Sequence, residues 1–340
     1  MKRYSVLLFT SFLIIVISIF GALYFTGGGN DFDDTRIRCN VVVYTTLPAE
    51  TVSCLSESYI RHNRIRVTFV PMTERELEQR LKEPGKADLI ITDSRVLRRA
   101  AGAGWLQPYI SEYGDGVPDN LKDGGGFWIG LWYDPVVFCI NTDYMGKQSV
   151  IPTSWADLGE LRSYRLGITD FMAADNAANI YMFMVAQYGE RRALEYMKLL
   201  HPWVVQYAKY LSTPARMAGM GEADISIAVQ SEALRYVGEG YPIKIIYPED
   251  GTAYTLTGAG LLINGPNNEN AREFLNWLLS DEPQLEMQAK GFYFMPTNSS
   301  LGVSRQFAGK NLVLYNQLAD YPEAQRRELL DRWLKEVRFN

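Results

Sequence analysis

Phe127 to Asn141 reads FWIGLWYDPVVFCIN, a run too long and too apolar for a surface loop. It follows Gly124, Gly125 and Gly126, which neither a helix nor a central strand favours, because glycine loses the most conformational freedom on ordering. The run reads as an extended segment that carries the chain out of one α/β unit towards a second, which begins at Pro152. Gly251 to Asn264, GTAYTLTGAGLLIN, reads as a second crossing. Two ribbons joining two lobes make a hinge with a cleft, the usual place for a small ligand. The expected fold is therefore α/β, each lobe a central mixed sheet flanked by helices and the two joined by extended hinge segments. The boundaries place residues 37–140 and 246–340 in lobe 1 and residues 141–245 in lobe 2, behind an N-terminal segment of residues 1–36.

A chain of 340 residues is long enough for about two domains. Its net charge of -5 and its lack of any Lys/Arg block argue against nucleic acid and against anionic membrane surfaces, both of which need a concentrated basic patch. Between Arg3 and Asp31 no residue is charged, and Val6 to Phe25 has the length and apolarity to span a bilayer. Lys2 and Arg3 precede this run while Asp31, Asp33 and Asp34 follow it, so the body is expected on the export side of the membrane. The run exceeds an ordinary secretory apolar core, yet small residues follow at Thr26 and Gly28, so a retained anchor and a cleaved signal peptide both fit. Cys39, Cys54 and Cys139 show no C-x-x-C spacing. A Cys39–Cys54 disulfide and three small buried thiols are both open.

Asn40 to Thr45, Arg66 to Val70 and Asp88 to Thr92 are short β-branched runs separated by helical patterns at Ala49 to Arg61 and Glu74 to Leu81, a β-α-β-α-β cadence. The continuous hydrophobicity of the first and third runs suits parallel strands covered on both faces. Thr73 and Glu76 have capping-box spacing, as do Ser154 and Asp157. The second unit reads as a helix after Pro152, a strand from Tyr164 to Asp170, helical runs through Phe171–Tyr188 and Arg191–Leu200, a short helix with Thr213 as cap and Pro214 at its first turn, and a strand from Glu222 to Gln230. Asn267–Leu279, Glu282–Lys290 and the tail Glu323–Phe339 read as helices that close the first unit.

In an open parallel sheet, ligands lie beyond the C-terminal ends of the strands, where the next helices present free N–H groups. That rule selects Thr45, Thr46, Asp93 and Ser94 in the first unit, and Asp170, Asp175, Asn176, Gln230, Ser231 and Glu232 in the second. Asp93 and Asp175 serve equally well as helix caps. Trp132 and Tyr254 on the crossing segments offer stacking or cation–π contact. His62 and His201 lack partners at metal-ligand spacing, and no nucleophile elbow, P-loop or dinucleotide fingerprint is present. Catalysis, metal and cofactor are accordingly not expected.

These residues resemble the type 2 periplasmic binding proteins of bacterial ABC importers, in the branch that includes ferric-iron, thiamine, phosphonate and sugar-phosphate binders. The resemblance runs from about Val41 to Pro296. It rests on VVVYTT at the first strand, KADLIITDS, GWLQPY, Trp128-x-Gly130 leading to VVFCIN, PTSWADL, GEADISIAV, YPEDGTAY and NARE-FLNWLLSDEPQ, taken in this order. It implies a monomeric receptor that closes on one small polar solute and delivers it to an ABC permease in the membrane. A sensory receptor partnering a histidine kinase is the alternative, and a hydrolase a more remote one. Ferric members place two adjacent tyrosines where this chain has Ser231 and Glu232. Phosphate-ester members tend to have a Ser/Gly/Thr-rich helix start where this chain has Ala173-Ala174-Asp175-Asn176. Acids at Asp93, Asp170, Asp175 and Glu232 favour a cationic or hydroxyl-rich solute, while a hydroxyl-rich or phosphorylated one held by Thr45, Thr46, Ser94 and Gln230 stays open.

Overall fold

In a computed structural model of the chain, the described residues are 40–63, 65–148, 150–307, 311–316 and 319–340. The expected membrane segment and Cys39 lie outside them. Among the described residues no helix is long and apolar enough to cross a membrane.

The first half follows the expected cadence: β1 (Asn40–Thr45), α1 (Ala49–Asn63), β2 (Arg66–Pro71), α2 (Glu74–Arg80), β3 (Leu89–Asp93) and α3 (Ser94–Gly102). β1 pairs in parallel with β2 and β3. Val41, Val43, Leu89, Ile90 and Ile91 are all fully buried, which accounts for the apolar runs within β1 and β3. Asp88, itself fully buried, accepts bonds from the Val42 amide at 2.9 Å and the Asn267 amide at 2.6 Å. Its carboxylate thus ties β1 to the chain that follows the second crossing.

After the two-residue β4 (Leu106–Gln107) comes β5 (Ile129–Asn141), thirteen residues without a break. Its first part pairs antiparallel with β10 (Tyr254–Leu262), and its last part, Val136 to Ile140, pairs antiparallel with β8 (Ile225–Val229). The second half is built on that last part. It comprises α4 (Thr142–Met145), α5 (Trp155–Glu160), β6 (Leu166–Thr169), α6 (Asp175–Tyr188), α7 (Glu190–Leu200), β7 (Val204–Ala208), α8 (Ser212–Gly219), β8, α9 (Gln230–Gly238) and β9 (Ile243–Ile246). The strands form one mixed sheet in the order β2-β1-β3-β10-β5-β8-β6-β7, with β4 on β10 and with β9 and β11 (Met295–Pro296) on β5. Both capping boxes are present, Thr73 with Glu76 and Ser154 with Asp157.

β5 and β10 approach closely where their register shifts at Thr257/Gly258. A Cβ on Gly258 would lie 2.6 Å from the Ile129 carbonyl oxygen, so only glycine fits between the two backbones. Helices α10 (Asn268–Leu278) and α11 (Asp281–Ala289) follow β10, and α11 packs on α1.

Three expectations need correction. α8 starts at Ser212 with Leu211 as an uncapped entry, so Thr213 and Pro214 fall inside its first turn. The strand read from Glu222 is shorter, because Asp224 is drawn into a pair with Arg165 at 2.7 Å before pairing begins at Ile225. The tail helix α12 (Glu323–Trp333), grouped by sequence with the first unit, packs instead on α6, where the fully buried Trp333 meets Phe171 at 4.7 Å.

Candidate functional site

A cavity of about 1090 Å³ lies between the two halves of the sheet, large enough for a small solute with water. The starts of six helices reach it. α1 contributes Glu50 and Thr51, α2 Thr73, Glu74 and Glu76, α3 Arg95 behind its cap Asp93, α6 Asp175 and Asn176, α8 Ser212, and α9 Ser231 and Glu232. The cause is topological: a helix that follows a parallel strand begins at the strand's C-terminal end, so its free N–H groups face the same opening.

Seven of the twelve residues selected from sequence line the cavity: Thr46, Asp93, Trp132, Asp175, Asn176, Ser231 and Glu232. Thr46 shares a 2.8 Å hydroxyl contact with Thr92 at the wall. Asp93 acts both as cap, accepting from the Arg95 amide at 2.8 Å, and as a wall group paired with the Arg95 guanidinium at 2.9 Å.

The other five sit elsewhere. Thr45 is fully buried and donates to the Ile91 carbonyl. Gln230 is also fully buried, accepting from the Tyr247 hydroxyl and donating to the Tyr293 carbonyl. Ser94 and Tyr254 line a separate cavity of about 20 Å³. Asp170 is held by Arg338 at 3.2 Å and by the Met172 amide at 2.8 Å. The strand-end rule locates the right loops but not which way each side chain turns. Residues before the turn point into the sheet, as Thr45 and Gln230 do.

The aromatic surface also differs from expectation. Trp132 is 1 % exposed, because Phe294 stacks over it at 6.1 Å and Phe292 continues the stack at 6.5 Å. Phe292 and Phe294, both half-buried on the irregular segment between α11 and β11, therefore form the apolar wall. Their sequence neighbourhood, Gly291-Phe292-Tyr293-Phe294, carries no strand or helix period that marks it.

Asp134, at the middle of β5, is the group that sequence reasoning missed. It is 5 % exposed and lines the cavity. One carboxylate oxygen accepts from the Ser231 amide at 2.9 Å and the other from the Ser231 hydroxyl at 2.6 Å, and the Gln230 amide also donates to it. The crossing strand thus supplies the anion that satisfies the start of α9, which has no cap of its own. Burial pushes this carboxyl up to about 7, against the pull of those hydrogen bonds, and Glu232 adds to the rise. An apolar strand with one embedded acid was the available signal, since a carboxylate in FWIGLWYDPVVFCIN has to find donors.

Among the charged groups of the wall, Glu50, Glu74, Glu76, Asp93, Asp134, Asp175 and Glu232 face only Arg95, Arg235 and Lys290. Arg95 is engaged by Asp93 at 2.9 Å and Glu74 at 3.3 Å, and Arg235 by Glu232 at 2.6 Å. Burial raises Glu74, although Arg95 opposes the rise. Behind α6, Arg326 of α12 is 4 % exposed and donates to the Asn179 side chain and the Asp175 carbonyl, both at 3.1 Å. Burial lowers its pKa, and the nearby Arg95 adds to that. Cys54 and Cys139 are buried free thiols. Among the described residues no three His, Cys, Asp or Glu side chains are grouped so as to hold a metal ion.

Comparison with known proteins agrees with this architecture. The periplasmic binding protein AfuA of Actinobacillus pleuropneumoniae, solved with fructose-6-phosphate bound, superposes with a TM-score of 0.69 at 23% identity, covering 89% of this chain and 100% of that one. A Bordetella ferric binding protein superposes with a TM-score of 0.70 at 22% identity, covering 88% and 99%. In sequence, the chain is 28% identical over 252 residues to an uncharacterized protein of Haemophilus influenzae, covering 71% of this chain and 73% of that one. It is 24% identical over 261 residues to iron uptake protein A2 of Synechocystis, with the same coverage. Residues 85–314, more than half of the chain, match the family model described as bacterial extracellular solute-binding protein. The chain belongs to the bacterial extracellular solute-binding proteins, the capture components of ABC importers.

Proposed function

We propose that the cavity captures a small solute rich in hydrogen-bond donors, an amino or polyhydroxyl compound, and that residues 37–140 with most of 246–340 and residues 141–245 act as two lobes closing over it. The solute is then handed to a membrane permease, with the receptor working at the outer face of the cytoplasmic membrane. The observation that carries the solute class is the excess of carboxylates over cations in the wall, with Arg95 and Arg235 already paired. Carboxylates only accept hydrogen bonds, so a donor-bearing guest satisfies them and a dianion is repelled.

A bare ferric ion is disfavoured. No tyrosine is among the lining residues, and no metal-holding cluster occurs among the described residues. Closure follows from contacts made to both halves at once, which form only in the shut state.

Calorimetry against amino sugars, polyols, ferric citrate and fructose-6-phosphate tests the class. Saturable binding confined to the first two supports it. Preferential binding of fructose-6-phosphate or ferric citrate rejects it. Small-angle scattering with and without the best binder tests closure, which an unchanged radius of gyration rejects.

A further inference from the structure

We propose that Asp134 determines specificity from behind the cavity wall, by fixing the hydrogen-bond polarity of Ser231. The inference rests on the solute class proposed above. Ser231 has one hydroxyl proton and two lone pairs. In this structure the proton is committed to the Asp134 carboxylate at 2.6 Å, and the second carboxylate oxygen is held by the Ser231 amide at 2.9 Å. With its only proton turned inwards, Ser231 Oγ presents lone pairs alone to the cavity and accepts from hydroxyl or ammonium donors.

Hydrogen bonds hold the arrangement from several sides. Asp134 lies on β5, whose register with β10 places it opposite Thr255, and the Gln230 amide closes the start of α9 against it. Gln230 is pinned in turn by Tyr247 and Tyr293. A carboxyl proton reverses the polarity. Neutral Asp134 donates its O–H to Ser231 Oγ, the Ser231 proton is released towards the cavity, and the wall gains a donor that suits a carboxylate or phosphate oxygen. The titratable groups whose charges reach Asp134 are Glu232 on α9 and Tyr247 after β9, and Arg235 and Lys290 line the same cavity. Glu232 favours the protonated form, and burial, which holds this carboxyl up near 7, favours it more.

The first arm of the test needs no solute. Infrared difference spectroscopy of the full chain follows the protonated-carboxyl stretch through a pH titration, with Asp134→Asn identifying the band. Replacing Ser231→Ala removes the strongest donor to the carboxylate, so the midpoint moves upwards. A midpoint that stays put or falls overturns the proposal.

The second arm compares glucosamine with fructose-6-phosphate by calorimetry at pH 8. In Asp134→Asn the side-chain N–H donates to Ser231 Oγ, so the preference for glucosamine over fructose-6-phosphate falls at least about tenfold, the loss of one hydrogen bond to a charged group. An unchanged or increased preference overturns the proposal. If neither compound binds either protein, the titration decides the role of Asp134.

Discussion

Replacing Arg326→Met tests whether the C-terminal helix supports the cavity wall. The wild-type guanidinium reaches from α12 to the first two turns of α6, donating to the Asn179 side chain and the Asp175 carbonyl at 3.1 Å each. Its ion pair with the Asp175 carboxylate is longer, 3.4 Å, and that side chain is 67% exposed, so water screens most of it. Methionine keeps most of the aliphatic bulk, leaves the Asn179 side-chain oxygen without its donor, and leaves the Asp175 carbonyl with its intrahelical donor alone. Asn179 is 4 % exposed, and a buried unsatisfied acceptor costs about 1–3 kcal/mol. The Asp175 carbonyl adds less, because the Asn179 amide of the same helix still donates to it. Removing the cation also relieves a desolvation cost, visible in the lowered pKa that burial and Arg95 impose. The net expectation is a loss of about 2 kcal/mol in urea unfolding, with faster hydrogen exchange concentrated at residues 175–179 and weaker solute binding through Asp175 and Asn176. A stability change below about 0.5 kcal/mol, or exchange that rises evenly over the chain, refutes the reasoning.

Three further outcomes follow from the same geometry. The double variant Ser231→Ala, Glu232→Ala should weaken solute binding at least tenfold by calorimetry, at roughly 1.5–3 kcal/mol per hydrogen bond to a charged group, while leaving the circular dichroism spectrum unchanged. Asp134 titrates near 7 when folded and near about 4 when unfolded, so the folded state holds the proton more tightly. Its contribution to stability is complete below about pH 4 and is lost as pH rises through 7, and urea unfolding of the wild type relative to Asp134→Asn should fall by up to about 4 kcal/mol across that window. Gly258→Ala drives a Cβ to 2.6 Å from the Ile129 carbonyl, and the displaced crossing strands should lower stability by about 1–3 kcal/mol in thermal or urea unfolding.

The α/β architecture and the long strands β5 and β10 could be read from the chain because each rests on a local pattern. FWIGLWYDPVVFCIN has no polar alternation since β5 is covered along its length, and every residue from Val136 to Asn141 is buried. Thr73-x-x-Glu76 and Ser154-x-x-Asp157 announce their helices through contacts three residues apart. The short strands β7, β9 and β11 were not apparent. Val204–Ala208 is an edge strand with Val205 and Gln206 exposed, so its apolar signal is thin. The placement of α12 was hidden for a different reason: an amphipathic helix records which face it buries but not against what. Its partner is set by Trp333 on Phe171 and by Arg338 on Asp170, contacts more than 150 residues apart in sequence. Asp170 is missing from the cavity lining for a related reason, since the tail supplies the cation that pairs with its carboxylate.

The density of carboxylates in the wall has a physical cause in the helices that end there. Glu50, Glu74 and Glu76, Asp175 and Glu232 each lie in the first turn of a helix that opens onto the cavity, Asp93 caps another, and Asp134 serves α9 from the neighbouring strand. The partial positive charge at each helix start offsets part of a carboxylate's charge, so acids accumulate here without the repulsion that so many would otherwise feel. α8 is the exception, with neither a cap nor an acid in its first turn. The cavity is therefore less negative than its side chains alone suggest, and long-range attraction of cations is a weak basis for selectivity. What the acids retain in full is direction: an ionised carboxylate accepts hydrogen bonds and cannot donate them. Discrimination then rests on whether a guest brings donors to the right wall positions, and Ser231, whose proton is already given to Asp134, reads that same distinction.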